Sequence, residues 1–154
     1  MKAVLQRVVS ASVSVDDVVI SKIDYGLLVL LGVAQDDEDR DMAWMADKIS
    51  GIRIFSDDHG KINRSIIEAH GSILLVSQFT LMADISKGRR PSFVAAAQPE
   101  KANVCYEKLA VLLREQGIRV AQGKFGADMR IALINDGPVT IVLDSPSATF
   151  PPVS

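Results

Sequence analysis

Two apolar runs in this chain stop abruptly at polar segments. Ile73-Leu74-Leu75-Val76 gives way to Ser77-Gln78-Phe79-Thr80-Leu81, and Ile131-Ala132-Leu133-Ile134 gives way to Asn135-Asp136-Gly137-Pro138-Val139-Thr140. Short apolar runs ended by turn-forming residues read as buried strands. Strands buried in this way need other layers to cover them, which points to a layered domain. Polar groups at strand ends are also where α/β proteins build their sites.

The rest of the chain supplies the layers. Residues 3–9, 12–15, 18–23 and 27–33 read as strands, with Asp16-Asp17 and Asp24-Tyr25-Gly26 as turns, an order that suggests an antiparallel meander. The period then changes: Met42, Met45, Ala46 and Ile49 share one helical face. Asp36, Asp37, Glu38 and Asp39 crowd the start of that helix, Lys48 lies near its end and Gly51 follows. This charge order suits the helix dipole, so the acidic cluster is read as capping rather than as a metal site. After a short strand at 52–55 and a turn at Asp57-Asp58-His59-Gly60, a second helix spans 99–116, with Pro99 in its first turn and Gly117 just past its end. Ala102, Cys105, Tyr106, Leu109, Leu112 and Leu113 line one face of it, which makes Cys105 core filler. Strands at 119–122, 129–135 and 139–144 complete the order. The expected architecture is one α/β domain over residues 1–144, with mixed, largely antiparallel sheets and two main helices. Residues 145–154 hold three prolines and no periodicity, and are expected to form a flexible or surface-hugging tail.

Composition bounds the function. A chain of 154 residues, 48% hydrophobic, is sufficient for one domain with a real core. The apolar run at 26–34 is far too short to span a bilayer, and no secretory leader pattern is seen at Met1. One cysteine closes no internal disulfide, and with only His59 and His70 beside it no protein zinc site is expected. A reducing, cytoplasmic compartment follows as the expectation. The net charge of −2 argues against coating nucleic acid by charge alone, so no DNA partner is expected, but it leaves room for recognition of one RNA end. The one concentrated basic stretch is Lys87-Gly88-Arg89-Arg90, in a Gly- and Pro-bearing loop.

Ser77, Gln78 and Thr80 suggest hydrolysis of an ester or amide, yet a hydroxyl nucleophile needs a base and none adjoins them in sequence. His59, His70 or Asp128 would have to be brought in by folding. The other source of catalysis is electrostatic: backbone N–H groups of a Gln78-Phe79-Thr80 turn facing a developing oxyanion. Gly137-Pro138 is either a simple turn or a cis peptide, since proline lowers the cost of the cis form. Arg7, within an otherwise apolar strand, must be edge-exposed or paired. Phe93 is either core or a stacking surface for a base.

Gln6-Arg7-Val8, Ser77-Gln78-Phe79-Thr80-Leu81, Gly88-Arg89-Arg90-Pro91-Ser92-Phe93 and Asn135-Asp136-Gly137-Pro138-Val139-Thr140 occur in one collinear order. Together they resemble the D-aminoacyl-tRNA deacylase family over roughly residues 1–144. The resemblance implies a homodimeric ester hydrolase that acts on D-aminoacyl-tRNA and mischarged glycyl-tRNA, without cofactor or metal. It implies that Ser77, Gln78, Phe79 and Thr80 form the catalytic cradle, while the 2′-hydroxyl of the terminal adenosine activates water. It further implies that a cis Gly137-Pro138 of one subunit reaches the other's site and turns L side chains away. Arg7 and Asn135 would support that segment, and Gly88, Arg89, Pro91 and Phe93 would bind the adenosine. Two other readings remain open: a non-catalytic dimeric module that binds RNA ends, and an esterase with Thr80 as nucleophile.

Overall fold

The computed structural model describes residues 1–146, so most of the expected proline-rich tail lies outside the described residues. Where four short strands and a meander are expected at the N-terminus, the chain makes one long strand, β1 (Lys2–Val15), then β2 (Val18–Ile23) and β3 (Gly26–Gly32). Strand β1 turns back at Asp16-Asp17, which adopt φ of 49° and 61°, the left-handed geometry of a tight hairpin. Strands β2 and β3 then lie end to end along the same edge of β1: Ala11 pairs Ile23, and Val8 pairs Gly26. The meander fails because Ser10-Ala11 has no Gly, Pro, Asn or Asp to set a tight turn, and Ala11 is buried in mid-strand.

Helix α1 (Asp39–Gly51) and the small hairpin of β4 (Phe55–Ser56) and β5 (Ile62–Arg64) lead to β6 (Ser72–Ser77), which pairs in parallel with β3. A single 3-10 turn (Phe79–Met82), then α2 (Pro99–Glu115), leads to β7 (Arg119–Gln122), parallel to β6. The last strand, β8 (Arg130–Asp144), runs antiparallel along the other edge of β1 for its whole length. The sheet is therefore mixed: antiparallel around β1 and parallel at β3, β6 and β7, with both helices as a separate layer.

Alternation along the strands sends side chains into two cores. Ala3, Leu5, Leu27, Val29, Ile73 and Leu75 pack with Met42, Met45, Ile49, Tyr106, Leu109 and Leu113 of the helices. Leu28, Leu74 and Val76 point the other way, onto Val8, Ala11, Val13 and Ile23, with Met129, Ile131 and Leu133 packed alongside. The run 73–76 is buried on both faces, as its composition requires. The acidic cluster before α1 divides its work: Glu38 and Asp41 form a capping box, and Asp37 accepts from Ala34 N at 2.6 Å and pairs with the Met1 ammonium at 2.5 Å. Ser145 is also buried here, its hydroxyl donating to Asp41 Oδ1 at 2.7 Å and accepting from the Met1 ammonium at 2.8 Å. Within the described residues no group of three or more His, Cys, Asp or Glu is placed to hold a metal, and no helix is long and apolar enough to cross a membrane.

Candidate active site

The parallel strands β3 and β6 end side by side, and the polar segment after β6 folds over that end. Gln78 N donates to Leu31 O at 2.7 Å, and Leu81 N closes the turn on Gln78 O at 3.2 Å. Gly32 makes this approach possible, since a Cβ there would lie 3.0 Å from Leu81 Cβ and 3.1 Å from Gln78 O. Phe79 N and Thr80 N are the first donors of the turn, which have no partner within it, and Gln78 supplies no side-chain cap. Gln78 Nε2 donates to Thr80 Oγ1 at 2.5 Å, Ser77 is half-buried, and Phe79 and Thr80 are exposed.

Beside the turn lies a cavity of about 560 Å³. Ser77, Gln78, Phe79 and Phe93 form one wall, and the rings of Phe79 and Phe93 meet edge to face at 5.0 Å. The other walls come from elements that sequence reasoning did not assign to a site: Ala102 and Tyr106 of α2, and Phe125, Gly126, Ala127 and Met129 between β7 and β8. Tyr106 donates its hydroxyl to Leu75 O at 2.8 Å, and Gly123 N donates to the same carbonyl at 2.9 Å. One acceptor thus joins α2, β6 and the 123–129 loop behind the cavity. Burial pushes the Tyr106 phenol up to about 12, so it stays protonated at neutral pH.

Among the described residues that line the cavity there is no His, Lys, Arg, Cys, Asp or Glu. His59 lies in the β4–β5 turn, His70 has a left-handed φ of 53° in the turn before β6, and Asp128 is exposed; none of the three lines it. Gly88, Arg89 and Pro91 do not line it either, although Phe93, one residue past their loop, does.

The second polar segment is elsewhere in the same chain. Within β8 the register to β1 passes from Val8↔Asn135 to Gln6↔Thr140, so residues 136–139 bulge out opposite the single residue Arg7. The Gly137-Pro138 peptide is cis, and both residues are exposed. Arg7 is buried behind them, donating from Nη1 to Ile54 O at 2.6 Å and from Nε to Asp136 O at 3.2 Å, with Asp136 Oδ2 at 3.1 Å. Asn135 Nδ2 donates to Arg7 O and to Val139 O, both at 3.0 Å, and so ties the neck of the bulge. Gly137 has φ of 118°, and a Cβ on it would lie 2.8 Å from Arg7 Nη2. Neither Gly137 nor Pro138 lines the cavity of its own chain.

A mixed sheet with a cavity beside the polar turn at its parallel strand ends defines a small α/β protein whose site is built where strands stop. The family model described as D-Tyr-tRNA(Tyr) deacylase matches residues 4–144. D-aminoacyl-tRNA deacylases of Thermotoga petrophila and Geobacter sulfurreducens are 52% and 54% identical to the chain, over 94% and 96% of it and 97% of each relative. Among solved structures, c-Myc DNA Unwinding Element Binding Protein superposes with a TM-score of 0.91 at 42% identity, covering 96% of this chain and 100% of that one. A probable eukaryotic D-amino acid tRNA deacylase shares the fold at a TM-score of 0.80 and 18% identity, over 92% of this chain and 97% of that one. The chain belongs to the D-aminoacyl-tRNA deacylase family and is an enzyme of the hydrolase class.

Proposed function

We propose that this enzyme cleaves the ester between a D-amino acid and tRNA. The observation that carries the mechanism is the cavity without a base. Water must be activated by something, and the substrate brings its own candidate in the 2′-hydroxyl of the terminal adenosine. The protein then holds the ester, and Phe79 N and Thr80 N receive the developing oxyanion. Support comes from their place at the start of the turn, where N–H groups have no partner within it and no side-chain cap is present.

Selection against L-aminoacyl-tRNA is assigned to Gly137-Pro138 acting across a homodimer. The bulge stands out from β8 with its own cavity elsewhere, as a segment that serves a second subunit would. The surface around it is apolar, with Ile134 60% and Val142 69% exposed, which suits a protein interface. Carbonyl oxygens of the bulge, placed beside the substrate α-carbon, would collide with an L side chain and leave room for a D side chain or for glycine. Mischarged glycyl-tRNA is therefore a substrate in this reading. The expected place of action is the cytoplasm. The DNA-binding name of one structural neighbour is not carried over, because a net charge of −2 favours a local RNA end over a duplex.

The test compares D-Tyr-tRNA, L-Tyr-tRNA and a D-Tyr-tRNA lacking the terminal 2′-hydroxyl, with and without chelator. Expected is rapid, chelator-insensitive loss of the D ester alone, with the deoxy substrate slower by about a hundredfold or more. Equal rates on the deoxy substrate would overturn the assisted mechanism, and tight binding without turnover would leave only a module for RNA ends.

A further inference from the structure

We propose that the loop at residues 84–92 is a phosphate clamp: Lys87, Arg89 and Arg90 hold backbone phosphates of the single-stranded RNA end whose terminal nucleoside enters the cavity. This rests on the deacylase reading and assigns Arg89 to phosphate rather than to the base.

The loop is a closed unit. Asp84 N donates to Ser92 O and Ser92 N to Asp84 O, both at 2.8 Å, which fastens its two ends together. Asp84, the acid at its base, accepts from Ser86 N at 2.9 Å, and that hydrogen bond holds the carboxyl below its ordinary range. The carboxylate thus serves the turn. Gly88, with φ of 119°, sits between the cationic residues. Lys87, Arg89 and Arg90 are exposed, and none forms an ion pair among the described residues. Other cations without an ion pair among the described residues, such as Lys22, Lys61 and Lys124, stand singly along the chain, whereas these three fall within four residues. Three positive charges against the single Asp84 carboxylate leave the loop a net cation on a chain of net charge −2, a local field rather than a general one.

The position fits a strand that leaves the cavity. Phe93, next to the fastened neck, lines the wall. Arg90 and Arg89 are three and four residues away, within about 14 Å even when fully extended. A stacked strand places a phosphate about every 3.4 Å along its axis. The loop can therefore reach the last few phosphates of a strand whose final nucleoside is enclosed beside Phe93, and little beyond them.

The experiment uses the full-length enzyme, the combined variant Lys87→Ala, Arg89→Ala and Arg90→Ala, and Lys61→Ala as a remote cation control. kcat/KM is measured on D-Tyr-tRNA and on the ester of D-tyrosine with free adenosine, between about 50 and 200 mM salt. At about 0.7 per contact to single-stranded phosphate, the loop variant's log–log salt dependence on tRNA should be shallower by about 2. Its loss at the lowest salt should be at least tenfold greater on tRNA than on the adenosine ester, with Lys61→Ala matching the parent on both. An unchanged salt slope, or equal losses on the two substrates, would overturn the clamp. A parent enzyme that cleaves neither ester would remove the deacylase reading instead. In that event, binding of a short single-stranded RNA decides the loop: a shallower salt slope in the variant keeps the clamp, and an equal slope ends it.

Discussion

The turn after β6 and the bulge in β8 both interrupt apolar strands, and they are held in opposite ways. The turn rests on strand ends buried on both faces and is fixed by main-chain bonds, such as Gln78 N to Leu31 O. The bulge stands on a strand with one exposed face and is fixed from behind by two side chains, Arg7 and Asn135. Main-chain anchoring survives most substitutions, whereas side-chain anchoring is lost with one. Single mutations should therefore affect stereochemical selection more than catalysis.

The strongest challenge to this contrast is Arg7→Ala. It strands the buried Ile54 O and leaves the solvent-exposed Asp136 carboxylate without its partner, for which a cost of about 1–3 kcal/mol is expected. Thermal melting should fall accordingly, and the D/L rate ratio should drop by at least tenfold. An unchanged ratio would reduce Arg7 to packing. Gly137→Ala is the next test, because its φ of 118° and the 2.8 Å approach to Arg7 Nη2 force either the bulge or the guanidinium to move. The ratio should fall severalfold while D-Tyr-tRNA is still cleaved, and loss of cleavage with selection intact would reverse the assignment of the two segments. Asn135→Ala opens the neck but leaves Arg7 in place, so about 1–2 kcal/mol of stability and a smaller loss of selection are expected from melting and paired rate assays. Tyr106→Phe on the turn side leaves Leu75 O with its Gly123 N donor, and about 1 kcal/mol of stability should go with little change in the ratio. The smallest effect belongs to Thr80→Ala, which keeps the backbone N–H: kcat should stay within a few fold. A loss on the order of a thousandfold would mean covalent catalysis by Thr80.

Periodicity made much of the fold readable. Met42, Met45, Ala46 and Ile49 are all buried, and α2 starts at Pro99 and stops just short of Gly117 as those residues demand. The unbroken β1 was not readable, because Ser10-Ala11 falls between two expected strands and becomes mid-strand only when β8 pairs alongside it. Tyr106 shows another limit. A helix face that fills a core and one that walls a cavity have the same spacing, and only the position of α2 beyond the end of β6 separates them. The surroundings of Arg7 were beyond local reading too, since its acceptors Ile54 O and Asp136 O lie 47 and 129 residues away. Ser145 likewise reads as the first residue of a tail, yet its hydroxyl is engaged with Asp41.

The burial of β3 and β6 between two cores also orders the molecule in time. In deuterium exchange, amides of residues 73–76 should be released only by global unfolding, since no smaller opening uncovers them, while the half-exposed β8 should exchange through local fluctuations. The proposed oxyanion donors thus begin three residues beyond the last part of the protein to come apart, and the proposed stereochemical gate sits on a part that opens early. On gentle warming, discrimination between the two mirror-image substrates should therefore fade before turnover does.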